Sequence, residues 1–308
     1  SRRIAGTFGD RGRKWLDTLP ETVEEYAARW NLRGLEPVDA PSYGWVAFCT
    51  APDGPAVLKL SVPNPETTTE VPALLRFPSS IASGVLAEDR ENGAVLLERL
   101  QPGRPLRQTP GFAARVQIAA GVFAALHEKH IPAETNLFPR YADQARRAFG
   151  VAREVLADHS AASPDLRLEV AAMIEAGAVA LDQLADDECL LHGDLHHDNI
   201  LQCDDGYKLI DPKGVIGPLS LEPARFIGNQ IGDAPAAAFE PQLDDMCKAF
   251  ADSLTSVDVA PADVATGAVL DAVVSTCWSI EDGTEVEEVA GYVANALSLR
   301  AWWRQRFA

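Results

Sequence analysis

The stretch HGDLHHDNIL, residues 192–201, concentrates polar side chains that are scattered elsewhere in the chain. The end of this stretch begins a strand-like run, residues 199–202, and a second run follows at residues 207–210. Asp204-Asp205-Gly206 between them is a hairpin turn signal. The second run leads directly into Asp211. The hairpin therefore predicts that the end of the polar loop lies near Asp211.

Phosphoryl transfer is the chemistry that fits this loop and hairpin. Such a reaction needs a divalent cation on the triphosphate, hard oxygen ligands for that cation, and a carboxylate that accepts the proton of the incoming hydroxyl. Asp194 would be the catalytic base, and Asn199 and Asp211 would hold Mg²⁺. The spacing Asp-x-x-x-x-Asn alone is a weak signal, but its combination with a strand, a turn, a strand and Ile-Asp is specific.

A cluster of His and Asp side chains can also be a metal site of another kind, or a turn held by local hydrogen bonds. His196 and His197 are adjacent rather than four residues apart, which is poor spacing for two zinc ligands on a helix. We interpret them as supports of the loop backbone. A zinc hydrolase is the weaker alternative, and a binding module on the same fold would usually have lost one of the reactive side chains.

The polar region resembles a known family. Residues 192–201 and IDPKGVIG at 210–217 are similar to the catalytic and metal-binding motifs of aminoglycoside phosphotransferases. They most resemble the aminoglycoside/hydroxyurea antibiotic resistance kinase branch, which includes streptomycin 6-phosphotransferases. EPARF at 222–226 and WSIEDG at 278–283 also resemble that branch, and the similarity extends from about Gly12 to the end of the chain.

The resemblance implies an α+β, protein-kinase-like fold with a small antiparallel-sheet N-lobe and a larger, mainly helical C-lobe. It implies ATP and Mg²⁺ as cofactors, Asp194 as the base, and Asn199 and Asp211 as metal ligands. The implied acceptor is a hydroxyl of a small molecule such as an aminoglycoside, with streptomycin as the first example. A metabolic kinase of an amino sugar, glucosamine or fructosamine, is the alternative, because a fold does not fix a substrate.

Residues 1–100 independently predict an antiparallel sheet with one inserted helix. Short apolar runs flank the turn signals Pro52-Asp53-Gly54 and Asn92-Gly93, so each pair of runs reads as a hairpin. The runs are residues 45–49 and 56–60, then 84–87 and 94–97.

Helical patterns surround this sheet. A capping box at Thr18-Leu19-Pro20-Glu21 predicts a helix that begins there and reaches Trp30, and residues 66–77 could hold another that Pro72 delays or breaks. The Pro-rich and Gly-rich segment 101–105 marks a boundary, so we expect an N-lobe at 1–100 and a C-lobe at 101–308. Apolar residues at helical spacing predict six helices in the C-lobe: residues 112–129, 141–156, 164–184, 240–254, 261–280 and 285–303.

The N-lobe supplies candidate nucleotide contacts. Lys59 lies within an apolar run, where an ammonium needs an anionic partner, and it resembles the family's phosphate-binding lysine with Glu70 as the carboxylate that orients it. The alternative is a lysine on a strand edge facing water. Residues 97–101 form the expected interlobe hinge, in which the backbone of Glu98, Leu100 or Gln101 would pair with a purine edge. Residues 39–44 would form the turn that covers the phosphates, although they lack the glycine pattern of protein kinases.

Four residues are candidates for substrate contact, since an acidic pocket with an aromatic wall suits a cationic sugar. They are Glu222, Trp278, Glu281 and Asp282. Ordinary structural roles compete with this interpretation: Trp278 in the core, Glu281 and Asp282 at a helix cap, and Glu222 paired with Arg225.

Composition narrows the class of protein further. The formal charge is −18, of which residues 101–308 carry −15, and this disfavours a nucleic-acid partner. The five cysteines have no paired spacing, so a cytoplasmic location is expected. No secretory signal is evident, and we expect no apolar run to approach the length needed to cross a membrane. The sequence makes no prediction of oligomeric state.

Overall fold

The computed structural model describes residues 2–38, 44–129, 131–160, 162–184, 188–232, 239–254 and 258–307. The chain forms two compact units, Ser1–Pro105 with Leu201–Lys213, and Leu106–Ile200 with Gly214–Ala308. One unit contains an antiparallel sheet and the other is mainly helical, which confirms the predicted α+β fold. Residues 39–43 of the predicted phosphate-covering turn lie outside the described part of the chain.

The first unit is built on a five-stranded sheet. Its strands are β1 (Arg33–Pro37), β2 (Gly44–Ala51), β3 (Gly54–Ser61), β4 (Val85–Asp89) and β5 (Ala94–Glu98). They are antiparallel in the order β1-β2-β3-β5-β4, so the two predicted hairpins, β2–β3 and β4–β5, are confirmed. Gly93 closes the second hairpin with φ 68, and a Cβ there would lie 2.3 Å from the Ser61 carbonyl oxygen, so only glycine fits.

Helix α1 (Arg2–Arg29) covers one face of this sheet. Tyr26 packs with Leu58, Leu60 and Leu96 in the buried core of that face. The predicted start at Thr18 was wrong, because the Thr18 hydroxyl donates back to the carbonyls of Lys14 and Trp15 instead of capping a new helix. The backbone of α1 departs from helical geometry at Gly9.

The inserted helix, α2 (Pro65–Arg76), lies between β3 and β4 in the chain. It begins where the sequence indicated and continues through Pro72, so the expected late start or break was wrong. Proline fits in the first turn of a helix because the N–H groups there have no carbonyl partner within the helix. Pro72 lies beyond that first turn. The helix therefore tolerates one missing backbone bond there.

The hairpin that leads to Asp211 belongs to the first unit. Strand β6 (Pro102–Pro105) pairs with β8 (Ile200–Cys203), which pairs in turn with β9 (Gly206–Leu209). The Leu209 N–H donates to the Ile81 carbonyl at 2.7 Å, and the Ser83 N–H donates to the Leu209 carbonyl at 2.9 Å. These bonds fix the end of β9, and so Asp211 two residues later, to the segment before β4.

The second unit is mainly helical. Its helices are α3 (Phe112–Leu126), α4 (Tyr141–Asp158), α5 (Pro164–Gln183), α6 (Ala224–Gly232), α7 (Phe239–Ser253), α8 (Pro261–Glu281) and α9 (Val286–Phe307). The six predicted helices are present, whereas α6 was missed because it is short. Two short strands, β7 (Cys189–Leu191) and β10 (Val215–Gly217), pair antiparallel and precede and follow the polar region in sequence.

Helix α8 is the central element of the second unit and contacts α4, α5, α6, α7 and α9. Among the described helices it alone has the length and apolar composition of a membrane span, which corrects the expectation that no run approaches that length. However, 72% of the apolar stretch of α8 is buried within the fold, as expected for a core helix.

Candidate active site

Three ionised side chains meet in the first unit. Lys59 projects from β3, and its Nζ donates to Glu70 Oε1 of α2 at 2.7 Å and to Asp211 Oδ1 at 2.9 Å. The Lys59 side chain is only 20% exposed. The predicted contact between Lys59 and Glu70 is therefore present, and Asp211 joins it from the end of the hairpin.

The backbone geometry of Asp211 is unusual. Its φ is 58, a left-handed conformation that non-glycine residues adopt at a cost and retain mainly where the surroundings impose it. The Thr69 hydroxyl donates to the carbonyl of Lys213, so the residue beside Glu70 fixes the chain just beyond Asp211. Helix α2 thus holds both the backbone after Asp211 and the ammonium that contacts its carboxylate.

The electrostatics of this cluster favour a charged lysine. Burial alone would lower the pKa of Lys59, but the negative charges and hydrogen bonds of Asp211 and Glu70 outweigh it and raise that pKa above its ordinary value. Lys59 is therefore a fixed cation, suited to an anionic ligand such as a phosphate.

The sheet face that carries Lys59 is opposite to the face covered by α1. Register pairs Val46 with Lys59 and Phe48 with Val57, and these side chains are partly exposed. The Arg99 guanidinium lies 3.9 Å from the Phe48 ring centroid, a cation–π contact at the end of β5. This face offers apolar side chains beside a cation.

The predicted hinge residues differ in what their groups contact. The Glu98 N–H donates to the Gly84 carbonyl at 2.8 Å, and its carboxylate accepts from Lys208 Nζ at 2.5 Å. Within the described chain, no residue hydrogen-bonds to the backbone of Leu100. Of the two, Leu100 is the one with a peptide group available to a ligand.

The polar loop lies in the second unit, directly after β7. Asn199 is 7% exposed, and its Nδ2 donates to the Asp194 carbonyl at 2.9 Å, so the two ends of the loop are joined. That bond uses the amide nitrogen, and no described residue donates to Asn199 Oδ1. The loop presents a carboxamide oxygen and the carboxylate of Asp194.

His192 and His196 accept hydrogen bonds from the loop backbone, as predicted for His196, whereas the His197 side chain contacts Phe226 and Gln230 of α6. His192 Nδ1 accepts from the Asp194 N–H at 3.3 Å, and His196 Nδ1 accepts from the Asp198 N–H at 3.2 Å. The His197 ring stacks on Phe226 with centroids 4.1 Å apart. Burial lowers the pKa of His196 and of His197, so both are neutral near pH 7. Nowhere in the described chain do three or more His, Cys, Asp or Glu side chains form a metal-binding group.

Glu222 anchors the start of the loop. It is 2% exposed, and its carboxylate accepts from the His192 N–H at 2.8 Å, the Gly193 N–H at 3.1 Å and His127 Nε2 at 2.8 Å. Burial alone would raise the pKa of Glu222, but these donors outweigh it and lower that pKa. Glu222 therefore faces the loop backbone rather than the acidic substrate pocket predicted for it, and within the described chain it forms no ion pair with Arg225.

The other substrate candidates lie along the end of α8 and just beyond it. Trp278 is partly buried, with the Arg225 guanidinium 5.8 Å from its ring centroid. Glu281 accepts two hydrogen bonds from Arg147, at 2.5 and 3.1 Å. Asp282 is exposed and follows the last residue of α8.

Three residues of the site were missed by sequence reasoning: Arg225, Asp271 and Tyr141. Arg225 Nε lies 3.5 Å from Asp194 Oδ1, and Arg225 Nη2 lies 3.2 Å from Asp271 Oδ1. The Tyr141 hydroxyl donates to the same Asp271 oxygen at 3.0 Å. A signal was present, since Asp271 interrupts the apolar sequence of α8, and a carboxylate inside a core helix requires partners.

The family assignment follows from comparison with known proteins. The sequence model of the aminoglycoside/hydroxyurea antibiotic resistance kinases matches residues 30–283, which include β1 to β10 and the whole polar loop. The chain belongs to this family. As a member of the aminoglycoside/hydroxyurea antibiotic resistance kinases, it is an ATP-dependent enzyme that phosphorylates a small-molecule hydroxyl.

Characterised relatives match over most of their length. The chain is 28% identical to streptomycin 6-kinase of Streptomyces griseus, over 94% of this chain and 92% of that protein. It is 30% identical to hydroxyurea phosphotransferase of Kitasatospora aureofaciens, over 89% of this chain and 77% of that protein.

Solved structures share the fold at low identity. A choline kinase from Cryptosporidium parvum Iowa II has a TM-score of 0.66 at 11% identity and covers 93% of this chain and 95% of its own. The aminoglycoside phosphotransferase APH(4)-Ia, solved as a thermostable mutant with ADP and hygromycin B, has a TM-score of 0.65 at 14% identity, with 92% and 98% covered. Both structures therefore share this chain's fold over more than nine tenths of its length.

Proposed function

We propose that this enzyme transfers the γ-phosphoryl group of ATP to a hydroxyl of an aminoglycoside, with streptomycin as the first candidate, in the cytoplasm. The observation that carries the proposal is the match to streptomycin 6-kinase over nearly the whole of both chains. Hydroxyurea is the second candidate acceptor, because the hydroxyurea phosphotransferase is similar at 30% identity. A metabolic amino sugar remains the third.

The two parts of the chain are proposed to bind different reactants. Residues 1–100 bind the nucleotide, and residues 101–308 contain the catalytic loop and the substrate contacts. Lys59, oriented by Glu70, contacts the phosphates, as the corresponding Lys–Glu pair does in protein kinases. The backbone of Leu100, two residues after Glu98, pairs with the purine edge. This assignment is supported because no residue of the described chain hydrogen-bonds to the Leu100 backbone.

Asn199 and Asp211 are the proposed ligands of Mg²⁺. A carboxamide oxygen and a carboxylate oxygen are hard donors of the kind that Mg²⁺ prefers, and one or two protein ligands are usual because phosphates and water complete its coordination. The donor set on this chain therefore fits the ion. When bound, Mg²⁺ would neutralise charge on the phosphate oxygens.

Asp194 is the proposed base. Its carboxylate accepts the proton of the acceptor hydroxyl while that oxygen forms a bond to the γ-phosphorus, and the bond from phosphorus to the bridging oxygen breaks with its electron pair leaving on ADP. Lys59 stays protonated throughout, because its pKa is raised, and it offsets the charge of the phosphates. Trp278, Glu281 and Asp282 are proposed to contact the acceptor.

One experiment tests both the acceptor and the base. ADP release is measured with Mg²⁺ and ATP in the presence of streptomycin, hydroxyurea, glucosamine or fructosamine, first for the native chain and then for Asp194→Asn. Streptomycin should give the highest kcat/KM, and Asp194→Asn should lower kcat by about 10²–10⁴-fold without weakening ATP binding. Asp252→Asn, at an exposed surface pair, is the matched control. Near-native turnover by Asp194→Asn would refute the role of the base.

A further inference from the structure

One short segment contacts both the backbone and the side chain of the catalytic loop. Glu222 binds the N–H groups of His192 and Gly193, and Arg225, three residues later, reaches the carboxylate of Asp194. Arg225 is the second residue of α6, so Pro223 and the helix start fix its backbone. The segment is therefore placed to control the geometry of Asp194 as well as the path of the loop.

The guanidinium of Arg225 is held from the side of α8. Its Nη1 donates to Ser275 Oγ at 2.7 Å, and its Nη2 lies 3.2 Å from Asp271 Oδ1. Asp271 is itself fixed, because Tyr141 donates to it and its side chain is only 9% exposed. The position of the guanidinium is thus set by α4 and α8, independently of the loop.

The third nitrogen of the guanidinium, Nε, faces Asp194. Arg225 Nε is buried and has no hydrogen-bond partner among the described residues, which is costly for an N–H group. The carboxylate oxygen facing it is Asp194 Oδ1, at 3.5 Å, and a small rotation of the carboxylate would complete a hydrogen bond. Asp194 Oδ2 lies on the other side, 3.9 Å from His196 Nε2.

We infer that Arg225 is a positioning residue for the reaction: its Nε attracts Oδ1 of Asp194 and so determines which carboxylate oxygen faces the acceptor hydroxyl. The inference rests on the proposed role of Asp194 as base. A rigid donor is required because a base must be held in a narrow geometry, and a displacement of about 1 Å can cost about a hundredfold in rate. Lysine could not replace the arginine fully, because a single ammonium cannot reach three partners.

The test compares Arg225→Met, Arg225→Lys and the exposed control Arg146→Met, with streptomycin and Mg²⁺-ATP as the probes. Arg225→Met should lower kcat at least about tenfold while KM for ATP and streptomycin changes less than about threefold, and Arg225→Lys should recover part of the loss. Arg146, which is 61% exposed, should be replaceable without effect. An unchanged kcat in Arg225→Met, or an effect on KM alone, would overturn the inference.

A double mutant separates positioning from a general structural role. If Arg225 acts through Asp194, adding Arg225→Met to Asp194→Asn should cause no further loss of the residual kcat, whereas a structural role predicts a further loss. Near-native activity of Asp194→Asn would instead contradict the proposed role of Asp194 as base. A failure of that proposal can therefore be distinguished from a failure of the inference about Arg225.

Two further measurements keep the inference testable if Arg225→Met does not fold or streptomycin is not phosphorylated. Ser275→Ala removes one hydrogen bond to the Arg225 guanidinium and leaves every charge in place. It should lower kcat severalfold, and adding it to Asp194→Asn should cause no further loss of kcat. A crystal structure of Arg225→Lys or Ser275→Ala needs no acceptor and should show the Asp194 carboxylate rotated or in more than one conformation. A carboxylate unmoved in both variants would contradict the inference.

Discussion

Lys59 Nζ lies 2.9 Å from Asp211 Oδ1, although 152 positions separate the two residues in the chain. Lys59 comes from the middle of a sheet strand and Asp211 from the end of the hairpin that follows the polar loop. Because the hairpin belongs to the same compact unit as the sheet, this ion pair forms within one unit. Lys59, the proposed phosphate contact, and Asp211, a proposed metal ligand, are therefore joined by a hydrogen-bonded ion pair.

Replacing Lys59 should disable phosphate binding and weaken the fold. Lys59→Met removes the ammonium that pairs with the carboxylate of Glu70, whose side chain is 10% exposed, and breaking such a buried pair costs about 3 kcal/mol of unfolding free energy. Loss of the phosphate contact should lower kcat/KM for ATP at least about a hundredfold. Urea unfolding and steady-state kinetics measure the two effects.

The control for Lys59 is Lys248→Met. Lys248 forms a surface pair with Asp252 and its side chain is 71% exposed, so its removal should change unfolding free energy by less than about 1 kcal/mol. If Lys59→Met kept native kcat/KM for ATP, the proposed phosphate contact would be wrong.

The Mg²⁺ requirement should depend on Asp211. Asp211→Asn keeps the shape and an oxygen that can accept from Lys59 but removes the negative charge that favours a hard cation, so the Mg²⁺ concentration for half-maximal activity should rise at least about tenfold. Asp205→Asn, in the exposed turn of the same hairpin, should leave it unchanged. A native Mg²⁺ dependence in Asp211→Asn would remove Asp211 from the ligand set.

Glu222 should matter for the loop rather than for the acceptor. Glu222→Gln replaces one accepting oxygen by an amide that cannot accept, so at least one buried donor among His192 N–H, Gly193 N–H and His127 is left unpaired. The cost should be about 1–3 kcal/mol of unfolding free energy, with a lower kcat. Glu154→Gln, exposed on α4, is the control. A raised KM for streptomycin with unchanged stability would restore the substrate role predicted from sequence.

The sequence predicted what depends on local pattern and residue type. The hairpins and the long helices follow from periodicity and turn residues, and a lysine within an apolar run needs an anion. That the anion is Glu70 was an expectation from the family resemblance. The role of Glu222 could not be predicted, because its main partners are backbone N–H groups, which no side-chain pattern reveals. Arg225 was missed for a related reason, since its partners lie in the polar loop and in α8, both far from it in the sequence. The start of α1 was misjudged because a threonine hydroxyl can bond back to its own helix as readily as it can cap one.

Tyr26 provides a pH-dependent test of how α1 is attached to the sheet. Its hydroxyl donates to Asp89 Oδ2 at 3.0 Å, and burial together with that carboxylate raises the pKa of Tyr26 to about 12. A raised pKa means that the bond contributes its full stability below the ordinary tyrosine pKa of 10.0 and loses it as pH rises toward about 12. Tyr26→Phe should therefore be less stable than the native chain by about 1 kcal/mol near neutral pH, and this difference should shrink above about pH 10.

Urea unfolding of the native chain and of Tyr26→Phe across the alkaline range measures this stability difference. Tyr292→Phe, at an exposed position of α9, should show no such pH dependence. A stability difference that stayed constant through the alkaline range would contradict the linkage between ionisation of the Tyr26 hydroxyl and folding.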